Sequence, residues 1–92
     1  MRTFQFSPWI NDSGWYVLDI RWPSGACGCV SRDYPDGAWR IACDPRPNAY
    51  RFSYPTREAA AEAERKLAFM ARMAGAIGWA ELQVLFADAW RV

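Results

Sequence analysis

Hydrophobic and polar residues follow different spacings in the two parts of the chain. In residues 1–54, apolar side chains alternate with polar ones over short runs that turn-forming residues separate. After Pro55, apolar residues recur every three to four positions. Alternation is typical of strands and the longer spacing is typical of helices, so the sequence predicts strands first and a long helix afterwards.

The alternating runs define the expected strands and the turns between them. Strands are predicted at 15–22, 26–33, 38–43 and 50–54, with a possible edge strand at 3–6. Tyr34-Pro35-Asp36-Gly37 is the strongest turn signal, because Pro fits the second turn position and Gly supplies a positive φ. These turns are short, so neighbouring strands should pair antiparallel as a meander.

Side-chain alternation also predicts which residues face the core. In the strand at 15–22, one set is apolar throughout and should point inward: Tyr16, Leu18, Ile20 and Trp22. In the strand at 38–43, the inward set is Trp39, Ile41 and Cys43. The residues between them should point to the opposite side of the sheet.

The second part of the chain predicts a helix at about 57–74, with Thr56 as its N-cap. Its buried stripe is Ala60, Ala63, Leu67, Met70 and Ala74, widened by Phe69 and Met73. Gly75 and Gly78 should end the helix. The tail, 78–92, fits either a second short helix or a last strand.

Together these elements predict a single α+β domain over residues 1–92. We expect an antiparallel four- to five-stranded meander, packed on one face by the C-terminal amphipathic helix. The chain has 92 residues, and 52% of them are hydrophobic, which is a globular composition. Its start shows no apolar signal segment, so we expect a protein of the bacterial cytoplasm without a membrane span.

Composition restricts the chemistry that the chain can perform. It has no His, which removes the commonest general base and the commonest zinc ligand. It has neither a Gly-x-Ser-x-Gly elbow nor a phosphate-binding glycine loop, and its carboxylates are scattered. The sequence therefore predicts a non-catalytic protein without a cofactor.

Three cysteines form the one group that resembles a metal site. Cys27 and Cys29 share a strand face, and Cys43 with Asp44 could complete a zinc site. Zinc loops usually have the spacing Cys-x-x-Cys, whereas this chain has Cys-Gly-Cys. We interpret the three cysteines as small core residues and predict no metal ligand.

The outward face of the sheet is the candidate binding surface. Arg and Trp are the residue types most enriched in binding hot spots. The residues of these types that should point outward are Trp15, Arg21, Arg32, Arg40 and Arg51. The alternative is a solvated face on which the Arg side chains cover apolar area.

Size, aromatic-rich composition and the order of strands before helix resemble the anti-defence proteins of phages and mobile elements, including anti-CRISPR proteins. Arg supplies most of the basic charge and Ala is frequent, which suggests a GC-rich bacterial or phage genome. The resemblance implies an inhibitor that blocks a host protein or ribonucleoprotein complex, such as a CRISPR effector, by direct contact.

A second resemblance implies a different partner. The strands from Trp15 to Asp44 followed by the helix after Thr56 are similar in order to the arm-binding domains of phage integrases, which place a sheet in the major groove of DNA. Outward Arg21, Arg32 and Arg40 could then contact guanine edges. The net charge of only +1 argues against direct nucleic-acid binding, so this remains the alternative.

Overall fold

The computed structural model describes residues 3–9, 13–46 and 49–78, which form an antiparallel sheet and one long helix. The elements in chain order are β1 (Phe6–Pro8), β2 (Gly14–Arg21), β3 (Cys27–Ser31), β4 (Arg40–Ile41), a 3₁₀ helix (Ala49–Arg51) and α1 (Arg57–Ile77). Each strand pairs with the next one along the chain. The predicted α+β class and antiparallel sheet are confirmed, whereas the prediction for the tail falls mostly on residues 79–92, outside the described ranges.

The pairing of β2 with β3 changes register partway along β2. Val17 pairs with Gly28, and the next paired residue on β2 is Arg21, opposite Cys27. Residues 18–20 of β2 thus have no paired residue on β3. Because this offset is an odd number, the alternation of inward and outward side chains reverses across it.

This reversal corrects the predicted core face of β2. Val17 is fully buried, and Ile20 and Trp22 are buried as predicted. Tyr16 and Leu18 were predicted to face the core, but they are 39% and 50% exposed. The prediction for these two residues is wrong because it assumed unbroken alternation from 15 to 22.

The helix begins where the sequence predicts and ends later. Thr56 Oγ1 accepts a hydrogen bond from the Ala59 N–H at 3.0 Å, so Thr56 is the N-cap. α1 continues through Gly75 to Ile77, and Gly78 follows with a φ of 84°. Gly75 therefore does not end the helix, since a single Gly in a helix costs only about 1 kcal/mol relative to Ala.

The helix contributes mostly small side chains to the core. Ala60, Ala63, Leu67 and Met70 are buried as predicted, whereas the prediction for the Ala74 side chain lies outside the described residues. Phe69 and Met73 were predicted to widen the stripe but are exposed. The residues of α1 in the main core cluster are Ala60, Ala61, Ala63, Leu67 and Ala68, and they meet Val17, Ile20, Val30 and Ile41 of the sheet.

The segment after β4 corrects a further prediction. Residues 50–54 were expected to form a strand, but Ala49–Arg51 is a 3₁₀ helix and only an isolated bridge joins Trp39 to Tyr54. The strand predicted at 38–43 is likewise reduced to Arg40–Ile41.

A buried ion pair in the preceding loop explains this arrangement. Arg46 Nη2 lies 2.6 Å from Asp44 Oδ2, and both side chains are almost fully buried. The Arg46 guanidinium also lies 3.8 Å from the centre of the Phe52 ring and donates to the Tyr54 hydroxyl at 3.2 Å. Phe52 and Tyr54 thus enclose a charged group, and they do not alternate across a sheet.

Candidate functional site

The five residues predicted as a binding surface do not share one environment. Trp15 is partly buried and packs against the core cluster, with the Arg57 guanidinium 4.8 Å from its ring centre. Its predicted outward orientation is wrong, because it lies on the same side of β2 as Val17, before the register changes. A substitution at Trp15 would therefore alter the core as well as any binding surface.

Arg40 is held by neighbouring side chains. Its guanidinium donates two parallel hydrogen bonds to the Asp36 carboxylate, each 2.8 Å long, and lies 5.0 Å from the centre of the Tyr34 ring. These hydrogen bonds hold the pKa of Asp36 well below its usual range. The charge of Arg40 is thus largely balanced within the turn that Gly37 closes with a φ of 67°.

Arg21, Arg32 and Arg51 are exposed. The Arg21 side chain donates to the Gly25 carbonyl at 3.0 Å, and the guanidinium groups of Arg32 and Arg51 lie over the rings of Trp39 and Tyr50. Each of these contacts orients a cation and leaves most of it in water. Of the five residues predicted for the binding surface, these three arginines are exposed as predicted, whereas Trp15 and Arg40 are only partly exposed.

The uncovered side of β2 presents an apolar surface that the sequence did not predict. Tyr16 and Leu18 lie there, and the ring of Trp9 is 6.1 Å from that of Tyr16. Trp9 is 40% exposed. We call Trp9, Tyr16 and Leu18 the open apolar surface, since these large side chains lie together in contact with solvent.

A groove of about 450 Å³ lies beside the Arg40 turn. Its walls carry both charged and aromatic groups, among them Tyr34, Asp36, Arg40, Asp44 and Tyr50. Such a groove can accept a single side chain of a partner.

A second candidate site is centred on Glu64, which is fully buried in α1. Its Oε2 accepts hydrogen bonds from Trp22 Nε1 at 2.9 Å and from the Cys29 N–H at 3.0 Å. At the end of the β3–β4 ladder, the Ala42 N–H donates to the Cys29 carbonyl, and the Glu64 carboxylate accepts the hydrogen bond of the Cys29 N–H. Cys43 Sγ lies 3.6 Å from the same oxygen and 2.9 Å from Cys29 Sγ.

The proximity of these groups changes their acidity. Burial raises the pKa of Glu64 to about 8, and the proximity of Cys43 contributes in the same direction. The hydrogen bond shared with Cys43 lowers the pKa of the Cys29 thiol. The same hydrogen bond, together with burial, raises the pKa of Cys43. Cys29 is therefore the more easily ionised thiol of this pair.

The structure brings together a different set of groups from the zinc site that the sequence analysis considered and did not predict. Cys29 and Cys43 come together, but Cys27 donates to the Val17 carbonyl and Asp44 pairs with Arg46. The third group is Glu64, which sequence reasoning missed. A signal was present, because position 64 is four residues after Ala60 and three before Leu67, and therefore lies in the predicted buried stripe.

No protein-family model, curated protein or solved structure matches this chain. Within the described residues, α1 is the one long helix, and it is too polar to cross a membrane.

Proposed function

We propose that this protein is a non-catalytic binding protein that acts by direct contact with another protein. The observation that carries the proposal is the open apolar surface of Trp9, Tyr16 and Leu18. Exposed aromatic and large aliphatic side chains are costly to leave in water, and such residues are enriched where proteins associate.

The exposed arginines of the chain favour a partner with acidic groups. Arg21 follows Leu18 on the same strand and is exposed, as are Arg32 and Arg51. An apolar centre with Arg21 beside it on β2 agrees with the usual division of a protein interface into core and rim. Acidic groups on the partner would pair with these arginines and speed the encounter.

The specific partner follows from the resemblance to phage anti-defence proteins. On that basis we propose an inhibitor that blocks a bacterial defence complex, such as a CRISPR effector, in the cytoplasm of the host. Stoichiometric blocking needs a binding surface and no catalytic group, which agrees with the absence of His from the sequence.

Nucleic-acid binding through the sheet is the competing hypothesis. Arg40 was one of the three arginines expected to contact DNA, but its charge is balanced by Asp36. The uncovered side of β2 also carries Tyr16 and Leu18. The Leu18 side chain has no hydrogen-bonding group that could contact base edges in the major groove. These features favour a protein partner.

The test combines a defence assay with a binding assay. Bacteria that carry an active CRISPR effector would express the chain and be challenged with a targeted phage, over a panel of effector types. We expect phage growth to recover for at least one type, and the purified effector to form a stoichiometric complex with the chain in size-exclusion chromatography.

Variants of surface residues test whether that complex forms through the open apolar surface. Tyr16→Ser and Leu18→Thr should each weaken binding at least tenfold, or about 1.4 kcal/mol. Phe69→Ser is the matched control, because Phe69 is also large, apolar and exposed but lies on α1. Equal loss in all three variants, or loss in Phe69→Ser alone, would contradict the assignment.

A salt series separates the protein-binding and nucleic-acid-binding hypotheses. A nucleic-acid module should shift duplex DNA or RNA at low salt and lose about 0.9 log units of affinity per phosphate contact for each log unit of salt. Such behaviour, without complex formation with any effector, would replace our proposal by the nucleic-acid hypothesis.

A further inference from the structure

Cys29, Cys43 and Glu64 form a cluster of metal-ligating groups where α1 meets the end of the β3–β4 ladder. Their sulfur and carboxylate oxygen atoms all lie within 4.8 Å of one another. We propose that this cluster binds one Zn²⁺ ion through the two thiolates and the Glu64 carboxylate. This inference is independent of the proposed binding function.

One distance in the cluster equals the separation that zinc imposes, and a second one can adjust to it. Ligands at about 2.3 Å for sulfur and 2.1 Å for oxygen, at tetrahedral angles, place sulfur and oxygen about 3.6 Å apart. Cys43 Sγ and Glu64 Oε2 are 3.6 Å apart. The two sulfurs, at 2.9 Å, must separate to about 3.8 Å, which the exposed Cys43 side chain allows by a small rotation.

The carboxylate is already oriented by groups outside the cluster. Trp22 Nε1 and the Cys29 N–H both donate to Oε2, and such outer hydrogen bonds hold metal ligands in place in known sites. Oε1 is buried without a hydrogen-bond partner, and none of the ion pairs among the described residues includes Glu64. A bound cation would favour the ionised carboxylate and balance its charge in this buried position.

An ion can reach the cluster from solvent. Cys43 lines a groove of about 390 Å³ whose other walls include Trp22, Pro45 and Ala71. Three protein ligands leave one tetrahedral position, which a water molecule from this groove can fill. Two thiolates select a borderline-soft ion such as Zn²⁺ over Mg²⁺ or Ca²⁺, which prefer oxygen ligands.

Cobalt and zinc titrations of the reduced protein test the proposal. Co²⁺ in a tetrahedral thiolate site gives a near-ultraviolet sulfur-to-metal band and intense visible bands, and Zn²⁺ should abolish both at one equivalent. Native mass spectrometry of the zinc-loaded protein should show one ion per chain.

Single substitutions identify the ligands. Cys43→Ser should lower zinc affinity by more than about 100-fold, since even residues that only orient a ligand affect affinity by up to that factor. Cys27→Ser is the matched control, because Cys27 is another free thiol nearby that binds the Val17 carbonyl. It should keep the affinity of the parent chain.

Glu64→Gln tests the contribution of the carboxylate to metal binding while both thiols are kept. The amide keeps the size of the side chain, so circular dichroism should show an intact fold, while the cobalt bands weaken and shift. If Glu64→Gln does not fold, the Cys43→Ser and Cys27→Ser comparison decides alone, since Cys43 is exposed.

Three outcomes would overturn the site. The first is a reduced protein that gives no cobalt bands and no zinc adduct. The second is equal loss of affinity in Cys27→Ser and Cys43→Ser. The third is a Cys29–Cys43 disulfide that re-forms while stoichiometric Zn²⁺ is present, which would assign the pair to redox chemistry.

Discussion

Val17 and Leu18 are neighbours on β2, yet the first is fully buried and the second is 50% exposed. The larger apolar side chain is the one in solvent. Burial on this strand is thus decided by which side α1 covers and by the register with β3, and hydrophobicity alone does not decide it.

On the covered side, small residues at and opposite Gly28 allow helix and sheet to approach closely. At Gly28, an added Cβ would lie 2.8 Å from the Ile20 Cβ and 2.9 Å from Glu64 Oε1. Ala60, Ala61 and Ala63 of α1 belong to the same core cluster. This close approach brings Glu64 to the backbone of β3.

The largest expected effect comes from the covered side. Leu67→Ala should lower the free energy of unfolding by about 3 kcal/mol, because Leu67 is fully buried in the core cluster and its truncation leaves a cavity there. Urea unfolding followed by Trp fluorescence measures this change.

Phe69→Ala is the control for Leu67→Ala. Phe69 lies two residues further along α1 but is 64% exposed, so its removal should cost less than about 1 kcal/mol. If the two substitutions destabilise the protein equally, the face of α1 that meets the sheet has been assigned incorrectly.

The second prediction concerns the close approach at Gly28. Gly28→Ala should cost about 2 kcal/mol, because the added methyl group forces the Ile20 side chain and the Glu64 carboxylate to move. Thermal and urea unfolding would both record it.

Gly75→Ala provides the opposite expectation. An added Cβ at Gly75 meets no atom within 4 Å, and Gly75 lies inside α1. This substitution should stabilise the protein by up to about 1 kcal/mol through helix propensity. A neutral Gly28→Ala would mean that helix and sheet are not in close contact at Gly28, and destabilisation by Gly75→Ala would mean that α1 does not continue through Gly75.

Features set by neighbouring residues could be predicted from the sequence. The Thr56 N-cap, the positive φ of Gly37 and the Ala60-to-Met70 stripe each depend on chemistry within one helical turn or one β-turn. For the same reason, the α+β class followed from the change in hydrophobic spacing after Pro55.

Features set by distant residues could not be predicted. No Gly or Pro marks the β2 offset in residues 18–20, where the Asp19 carboxylate accepts the Gln5 N–H at 2.6 Å from a distant part of the chain. The alternation of Tyr50, Phe52 and Tyr54 has the period of a strand, but the last two side chains enclose Arg46. The open apolar surface depends directly on that offset.

The smallest expected effect lies on the uncovered side. Leu18→Thr should change the free energy of unfolding by no more than about 0.5 kcal/mol, because Leu18 is half exposed and Thr is favourable in strands. Val17→Thr is its counterpart at the adjacent position: it keeps the shape of Val but buries a hydroxyl, at a cost of about 1–3 kcal/mol. Urea unfolding of both variants measures the difference between the sides of β2. If Leu18→Thr proves the more harmful, then a partner or a second part of the chain covers that surface, and the open apolar surface is not open in solution.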